Sequence, residues 1–311
     1  MISLGKIACG VVAVLAFGAA RLPIEAAFHQ HRQAADLREN ADVRLTLREH
    51  VSQSALFAVL GGLRALVAAL WDLAARDAWE KTNYAEVERD YRFIQQLQPR
   101  VFYYWDMGQW MLATNAARFF RLSNSESPER ASLLSNAYVE KGREMIQAGI
   151  RNLPNEYRIH QALARLLEDR YETRDYAKIA EAWANAARLP GAPGYTKRFH
   201  AYALTHIPDR ENEAEQMLRQ LFHEGVQHHK PTLETLLGIY EAAQTAQEAA
   251  DPSALHALLR RIYDRGHPLT RTPLLIRTIR RLEDHLALPA PERLPPSAEA
   301  TAGQNPPEAR L

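Results

Sequence analysis

The sequence predicts an all-α protein built from consecutive helix pairs. Between Trp71 and Pro99, apolar or small residues recur at the three- and four-residue spacing of two amphipathic helices. No stretch shows the strict alternation of β-branched residues that marks a half-buried strand, and proline and glycine stand mostly at helix ends. One helix pair cannot bury its own apolar face, so several pairs are expected to stack on one another.

Composition and charge set the class of protein. A chain of 311 residues with 47% hydrophobic and 24% charged residues is long enough to form a sizeable core. Its formal net charge of +1 argues against nucleic acid as the partner, because nucleic-acid-binding surfaces carry a marked basic excess. The single cysteine, Cys9, leaves no pair for an intrachain disulfide or a cysteine-based zinc cluster.

The N-terminus carries a membrane signal. An uncharged run from Ile7 to Ala20 follows Lys6 and ends at Arg21, which predicts a signal anchor or transmembrane helix over residues 1–26. The alternative is a cleavable signal peptide with a cleavage site after Ala20. In either case we expect the body of the protein to lie outside the cytoplasm.

Residues 27–54 are charged and mostly polar, which predicts a stalk. The following run from Ala55 to Trp71 is apolar except for Arg64, and it has two interpretations: a second membrane span, or a buried or membrane-apposed first helix of the stack. A central arginine costs about 2.5–3.5 kcal/mol on membrane-insertion scales. That cost favours the helix of the stack.

Further helix pairs and a closing helix are predicted up to residue 286. From residue 287 onward the chain is rich in proline, alanine and glutamate, a composition that cannot form a core, so 287–311 is predicted to be a disordered tail. The predicted helical segments are Val101–Phe120 with Glu129–Asn152, Leu163–Tyr171 with Tyr176–Ala187, Pro193–Ile207 with Glu211–Glu224, Pro231–Ala249 with Pro252–Arg265, and Pro273–Leu286.

The helix pair between Trp71 and Pro99 resembles a degenerate tetratricopeptide repeat (TPR). Small residues at Ala75 and Ala78, aromatic residues at Tyr84 and Tyr91, and the closing proline carry the likeness. The repeat glycine before Tyr84 is missing, because Thr82 and Asn83 stand there. The resemblance implies a TPR-like right-handed α-solenoid over residues 55–286, whose concave side is a binding surface.

The segment Leu60–Asn115 also resembles a group of membrane-tethered bacterial proteins with TPR-like repeats. The shared motifs are Leu60-Gly61-Gly62-Leu63-Arg64, Trp71, Leu97-Gln98-Pro99, and the tryptophans Trp105 and Trp110 before Asn115. This resemblance implies a single-pass envelope scaffold in the bacterial inner (cytoplasmic) membrane, with its body on the periplasmic side. It brings no catalytic residues.

No pattern in the sequence indicates catalysis, a cofactor or a metal. The histidine-rich stretch at His223, His228 and His229 has ligands five positions apart, which lie about 140° apart on a helix rather than on one face. A glycine-rich phosphate loop, a nucleophile elbow and a dinucleotide fingerprint are all absent from the sequence. The histidines are interpreted as a solvated helix end.

Two surfaces are predicted to meet partners. In TPR proteins the first helix of each pair lines the inner surface, so Tyr103, Gln109 and Arg165 are predicted to contact a partner protein. Between Arg260 and Arg281 the sequence has seven arginines and only one acidic residue, Asp264. This basic stretch indicates either contact with anionic lipid headgroups, an acidic protein or nucleic acid, or a solvated surface.

Together these features predict a non-catalytic scaffold or adaptor that binds partner proteins through its helical repeats. Two alternatives stay open at the level of sequence. One is a subunit of an envelope enzyme or transport complex with a site that the sequence does not show. The other is a secreted binding protein that signal cleavage releases.

Overall fold

Polar caps and prolines divide the chain into helices. The computed structural model describes residues 63–123, 127–168 and 174–298. In five helices the side chain of the N-cap residue accepts a hydrogen bond from the backbone N–H three residues later, and four helices begin with proline, whose missing N–H costs nothing there. The caps are Asn83, Ser127, Asp175, Asp251 and Thr272, and the prolines are Pro128, Pro231, Pro252 and Pro273.

The all-α prediction is confirmed for the described residues, which contain α-helices, short 3-10 turns and one π-helix but no strand. The α-helices are α1 (Arg64–Glu80), α2 (Tyr84–Leu97), α3 (Phe102–Trp110), α4 (Ala117–Arg121), α5 (Pro128–Asn152), α6 (Tyr157–Leu167), α7 (Tyr176–Arg188), α8 (Tyr195–Leu204), α9 (Glu211–Glu224), α10 (Pro231–Thr245), α11 (Pro252–Asp264) and α12 (Pro273–His285). The π-helix, Met111–Ala116, joins α3 to α4 without a break.

The chain divides into two units, with the boundary inside α6 between Ile159 and His160. In the first unit α1 packs on α2, α2 on α3, and α5 on α3, α4 and the π-helix. In the second unit α7 packs on α8, α8 on α9, α9 on α10, and α12 on both α10 and α11. Most of these contacts join helices that are neighbours in the chain.

Helix α1 is apolar on two opposite sides. Its inner side buries Ala68, Ala75 and Ala78 against the first unit, whereas Leu66, Leu70 and Leu73 on the other side are each more than half exposed. Residues 55–62 lie outside the described residues, so the two interpretations of the run from Ala55 to Trp71 both stand. Among the helices that the structure describes, none is long and apolar enough to cross a membrane.

In the turn between α1 and α2, Thr82 takes the backbone conformation of the missing glycine. Thr82 has φ = 56°, the left-handed conformation that a repeat glycine normally adopts. The backbone N–H of Asn83 donates to the carbonyl of Ala78, and that of Thr82 donates to the carbonyl of Trp79, which is the usual glycine-type helix ending. Thr82 therefore ends α1 in the way that a glycine usually does.

Glycine allows close approach of α5 to the helix that runs from α3 into α4. A methyl group added to Gly142 would lie 2.6 Å from the Cβ of Ala113 and 3.0 Å from the carbonyl oxygen of Gln109. Both distances are shorter than ordinary van der Waals contact, and the second involves backbone. A side chain at position 142 would therefore push the two helices apart.

We expect Gly142→Ala to lower the free energy of unfolding by about 1–2 kcal/mol, because the overpacking cost exceeds the gain of about 1 kcal/mol in helix propensity. Gly238→Ala is the matched control, since nothing lies within 4 Å of a methyl group added there. That change should raise stability by up to about 1 kcal/mol. Thermal unfolding of the two variants measures the difference, and equal shifts would contradict the close contact at Gly142.

The second unit is built around one apolar cluster. The largest side chain enclosed in this cluster is Trp183, which is 2% exposed. The cluster also contains residues from every helix of the unit and from the chain that follows α12. In the sequence, Trp183 continues the apolar helical spacing of Tyr176 and Ile179, which predicts that it is buried. Its burial in the structure confirms that prediction.

The folded part of the chain continues beyond residue 286, where the composition predicts the disordered tail to begin. Leu294 and Ala298 are only 5% and 1% exposed and belong to the core of the second unit. The backbone N–H of Leu294 donates to the buried carboxylate of Glu283 at 2.8 Å. Specific contacts with α12 therefore hold residues 287–298 in place, although their composition alone indicates disorder. Residues 299–311 lie outside the described residues.

Candidate interaction surface

A buried carboxylate organises the exposed side of α1 and α3. Asp72 is 8% exposed and accepts hydrogen bonds from the hydroxyls of Tyr91, at 2.9 Å, and Tyr103, at 3.4 Å. Arg76 donates to the Tyr103 hydroxyl at 2.8 Å and lies 3.5 Å from Asp72. The Asp72 side chain on α1 therefore accepts one hydrogen bond from α2 and one from α3.

The chemistry of this network keeps Tyr91 as a donor. Burial, together with the nearby Asp72 carboxylate, raises the pKa of Tyr91 well above its ordinary value. Tyr91 is 0% exposed, so its hydroxyl stays neutral and donates to Asp72 from the buried side of the carboxylate. Tyr103 is 38% exposed, so its ring is presented to solvent while its hydroxyl is held in place. A fixed aromatic side chain loses less entropy on binding than a freely rotating one.

Exposed aromatic residues continue along α3. Tyr103 and Trp110 are seven positions apart and therefore lie on the same side of the helix, with the partly exposed Met107 between them. Trp110 is 43% exposed. We call these three residues the Tyr103–Trp110 face. Tyrosine and tryptophan are the residue types most enriched among the energetically important positions of protein interfaces.

The structure places the three predicted partner-binding residues in different environments. Tyr103 lies on the Tyr103–Trp110 face. Gln109 is only 8% exposed, and its amide donates to Asp106 at 3.3 Å, so it offers a partner little surface. Arg165 is exposed on α6, in the second unit. Arg76 is the residue that the sequence interpretation missed, and its spacing of four from Asp72 was the available signal.

The motif residues of the resemblance have mainly structural contacts. Trp105 is 5% exposed, and its indole N–H donates to the carbonyl of Pro99 at 2.8 Å, which ties α3 to the turn before it. The ring of Trp71 lies 5.0 Å from that of Phe93 on α2. Asn115, within the π-helix, donates to the carbonyl of Trp110 at 3.5 Å. Trp71 and Trp110 are similarly exposed, at 41% and 43%, but Trp71 also packs on Phe93, whereas Trp110 extends the exposed side of α3.

The histidines near the end of α9 have separate contacts. His229 stacks on Phe222 with ring centroids 4.1 Å apart, whereas His228 is buried and its Nε2 lies 3.7 Å from the carboxylate of Glu224. Burial lowers the pKa of His228, and Arg198 adds to that effect. The described part of the chain contains no group of three or more potential ligands arranged to hold a metal ion.

The arginine-rich stretch is largely engaged within the second unit. Arg277 pairs with Glu211, and Arg271 lies over the ring of Tyr263 at 4.1 Å. Arg260 and Arg280 donate to main-chain carbonyls of the segment after α12. Contact with anionic lipid would therefore depend on the exposed members of the stretch, Arg261, Arg265 and Arg281.

The chain was compared with known protein families, with curated proteins and with solved structures, and none of these comparisons found a match. The resemblance to tetratricopeptide proteins therefore rests on the motifs in this sequence.

Proposed function

We propose that the protein is a non-catalytic scaffold, tethered to the bacterial inner membrane, that binds partner proteins through a TPR-like solenoid. Residues 1–26 would be the anchor, and helix pairs within residues 55–286 would form the repeats. The anchor part of the proposal rests on the uncharged run from Ile7 to Ala20.

Three features support the repeat part. Helices that are neighbours in the chain pack on each other within each unit. The turn between α1 and α2 has the helix-ending geometry of the repeat although it lacks the glycine. Small residues occur at tightly packed positions between helices, as at the fully buried Ala75 and at Gly142.

The Tyr103–Trp110 face is the observation that carries the binding proposal. In this repeat type, α1 and α3 would be the first helices of the first two pairs, which line the inner surface. Two large aromatic side chains are exposed there, and one of them is held by Arg76 above the buried Asp72. A partner of matching chemistry offers an apolar pocket for the rings and an acceptor for the exposed guanidinium of Arg76.

We expect the double variant Tyr103→Ala/Trp110→Ala to lose at least about tenfold in recovery of crosslinked partners, because truncating an interface hot spot costs about 2 kcal/mol or more. The measurement is crosslinking in native membranes, purification of the full-length chain and quantitative mass spectrometry. Leu133→Ala is the matched control, since Leu133 is 71% exposed on α5 in the same unit.

Leu133→Ala should keep the wild-type melting temperature, because its side chain is 71% exposed. The double variant should melt only slightly lower, because Asp72 loses its bond from Tyr103 but keeps those to Tyr91 and Arg76. Equal recovery of every partner from the double variant and the wild type would refute binding through this face. In the same membranes, a chain lacking residues 1–24 should move to the soluble fraction, and its retention after alkaline extraction would refute the proposed anchor.

A further inference from the structure

The segment after α12 packs on the second unit through few side chains. In residues 287–298, here called the C-terminal strap, Leu294 and Ala298 are the buried residues. They lie four positions apart, on either side of Pro295 and Pro296, which are exposed. One leucine and one alanine are a small apolar anchor for a segment of twelve residues.

Most of the polar contacts between α11, α12 and the strap use main-chain atoms of the strap. The carboxylate of Glu283 accepts from the N–H of Leu294 at 2.8 Å. Arg260 donates to the carbonyl of Glu292 at 3.1 Å, and Arg280 donates to that of Pro296 at 3.3 Å. Main-chain groups are common to all sequences, so these contacts recognise the path of the chain more than the identity of its residues.

The receiving side is a polar site that needs an N–H donor. Glu283 is 2% exposed, and a carboxylate buried to this degree is costly without hydrogen bonds. Its neighbours are Arg260, at 3.7 Å, and His256, at 3.6 Å. The Nε2 atom of His256 is itself buried and has no hydrogen-bond partner among the described residues. The site therefore has polar capacity that the strap does not use.

We propose that the groove formed by α11 and α12 is a docking site for a leucine-proline segment of a partner protein, and that the chain's own strap occupies this groove until the partner displaces it. The partner segment supplies a leucine with a free N–H for Glu283 and carbonyls for Arg260 and Arg280. Prolines after the leucine keep the segment from continuing as a helix. This site lies in the second unit and does not depend on the Tyr103–Trp110 face.

Covalent linkage makes the strap a strong competitor of any outside segment for the groove. It follows α12 directly, through a turn at Ala287 with φ = 50°, so its effective concentration at the groove is high, on the order of millimolar or above. An outside segment therefore binds the wild-type chain weakly and binds a chain with a released strap much more tightly.

The test uses full-length protein and a fluorescein-labelled peptide with the sequence of residues 287–298, followed by fluorescence anisotropy. Leu294→Asp releases the strap, since a charged side chain cannot occupy the apolar position. We expect the peptide to bind this variant with a Kd at least about tenfold lower than for the wild type. Adding Arg280→Ala to Leu294→Asp should raise the Kd again, and a peptide carrying the same leucine-to-aspartate change should not bind.

Three results would overturn the proposal. The first is a folded Leu294→Asp variant, with a cooperative thermal transition, that binds the peptide no better than the wild type. The second is a Leu294→Asp variant that fails to fold, which would make the strap an inseparable part of the core. The third is a wild-type chain whose concentration-dependent dimers disappear in Leu294→Asp, which would assign the groove to exchange of straps between copies.

Discussion

Trp183→Ala should lower the free energy of unfolding by about 3–5 kcal/mol, the typical cost of removing a large buried aromatic side chain. Trp183 is 2% exposed, and its ring stacks on that of Phe199 with centroids 4.9 Å apart. Its indole N–H donates to the carboxylate of Glu168 at 2.7 Å. The change therefore removes packing and also leaves a partly buried acceptor without its donor.

Trp183→Phe separates these two contributions, because phenylalanine keeps a ring in the core and loses the N–H. We expect it to cost about 1–3 kcal/mol, the range for an unsatisfied buried polar group. Burial raises the pKa of Glu168, an effect that the indole N–H opposes, so loss of the donor should raise that pKa further. Thermal unfolding measures both variants. A Trp183→Ala variant as stable as the wild type would contradict the burial of this side chain.

The free energy of unfolding should decrease as the pH falls, because the folded state buries His206 in its neutral form. This residue is buried and stacks on Tyr176 with ring centroids 4.1 Å apart. Burial lowers its pKa to about 3, although the backbone of Leu269 opposes the shift. The folded state keeps the ring neutral, whereas the unfolded state protonates it below a pH of about 6.5. The unfolded state therefore gains stability as the pH falls from about 6.5 towards 3, by about 1.4 kcal/mol per pH unit.

Between pH 8 and pH 4.5 this linkage amounts to roughly 2–3 kcal/mol. His206→Phe keeps the stacked ring without the titration, so its loss of stability between pH 8 and 4.5 should be smaller than that of the wild type by about this amount. His285→Phe, at an exposed position, is the control and should follow the wild-type profile. Parallel profiles for wild type and His206→Phe would show that His206 is accessible to protons in the folded state.

The presence of the helices could be predicted from sequence, because helix formation depends on the local spacing of apolar residues and on N-cap side chains. The apolar period between Trp71 and Pro99 is sufficient for α1 and α2, and the burial of Trp183 follows from the same period in α7. The end of the fold could not be predicted in this way. Leu294 packs because one buried carboxylate, Glu283, accepts its N–H, and such a long-range contact leaves no periodic signal.

The candidate surface was predictable in part. Tyr103 lies on the exposed side of α3, where a partner could reach it. Gln109 lies six positions later, about 120° around the helix, on the side where α5 approaches closely because Gly142 has no side chain. The degree of exposure therefore depends on a glycine thirty-three positions away. Pairing of Arg76 with Tyr103 likewise depends on how two helices meet.

The π-helix at Met111–Ala116 affects how this chain can be aligned with other sequences. Its hydrogen bonds span one residue more than those of an α-helix, so the chain carries one extra residue there. Residues from Ala117 onward are consequently displaced by one position, about 100°, relative to an uninterrupted α-helix. A template of fixed repeat length that matches the chain as far as Trp110 falls out of register after Ala116. An alignment that allows a single-residue insertion between Met111 and Ala116 would restore the register on both sides.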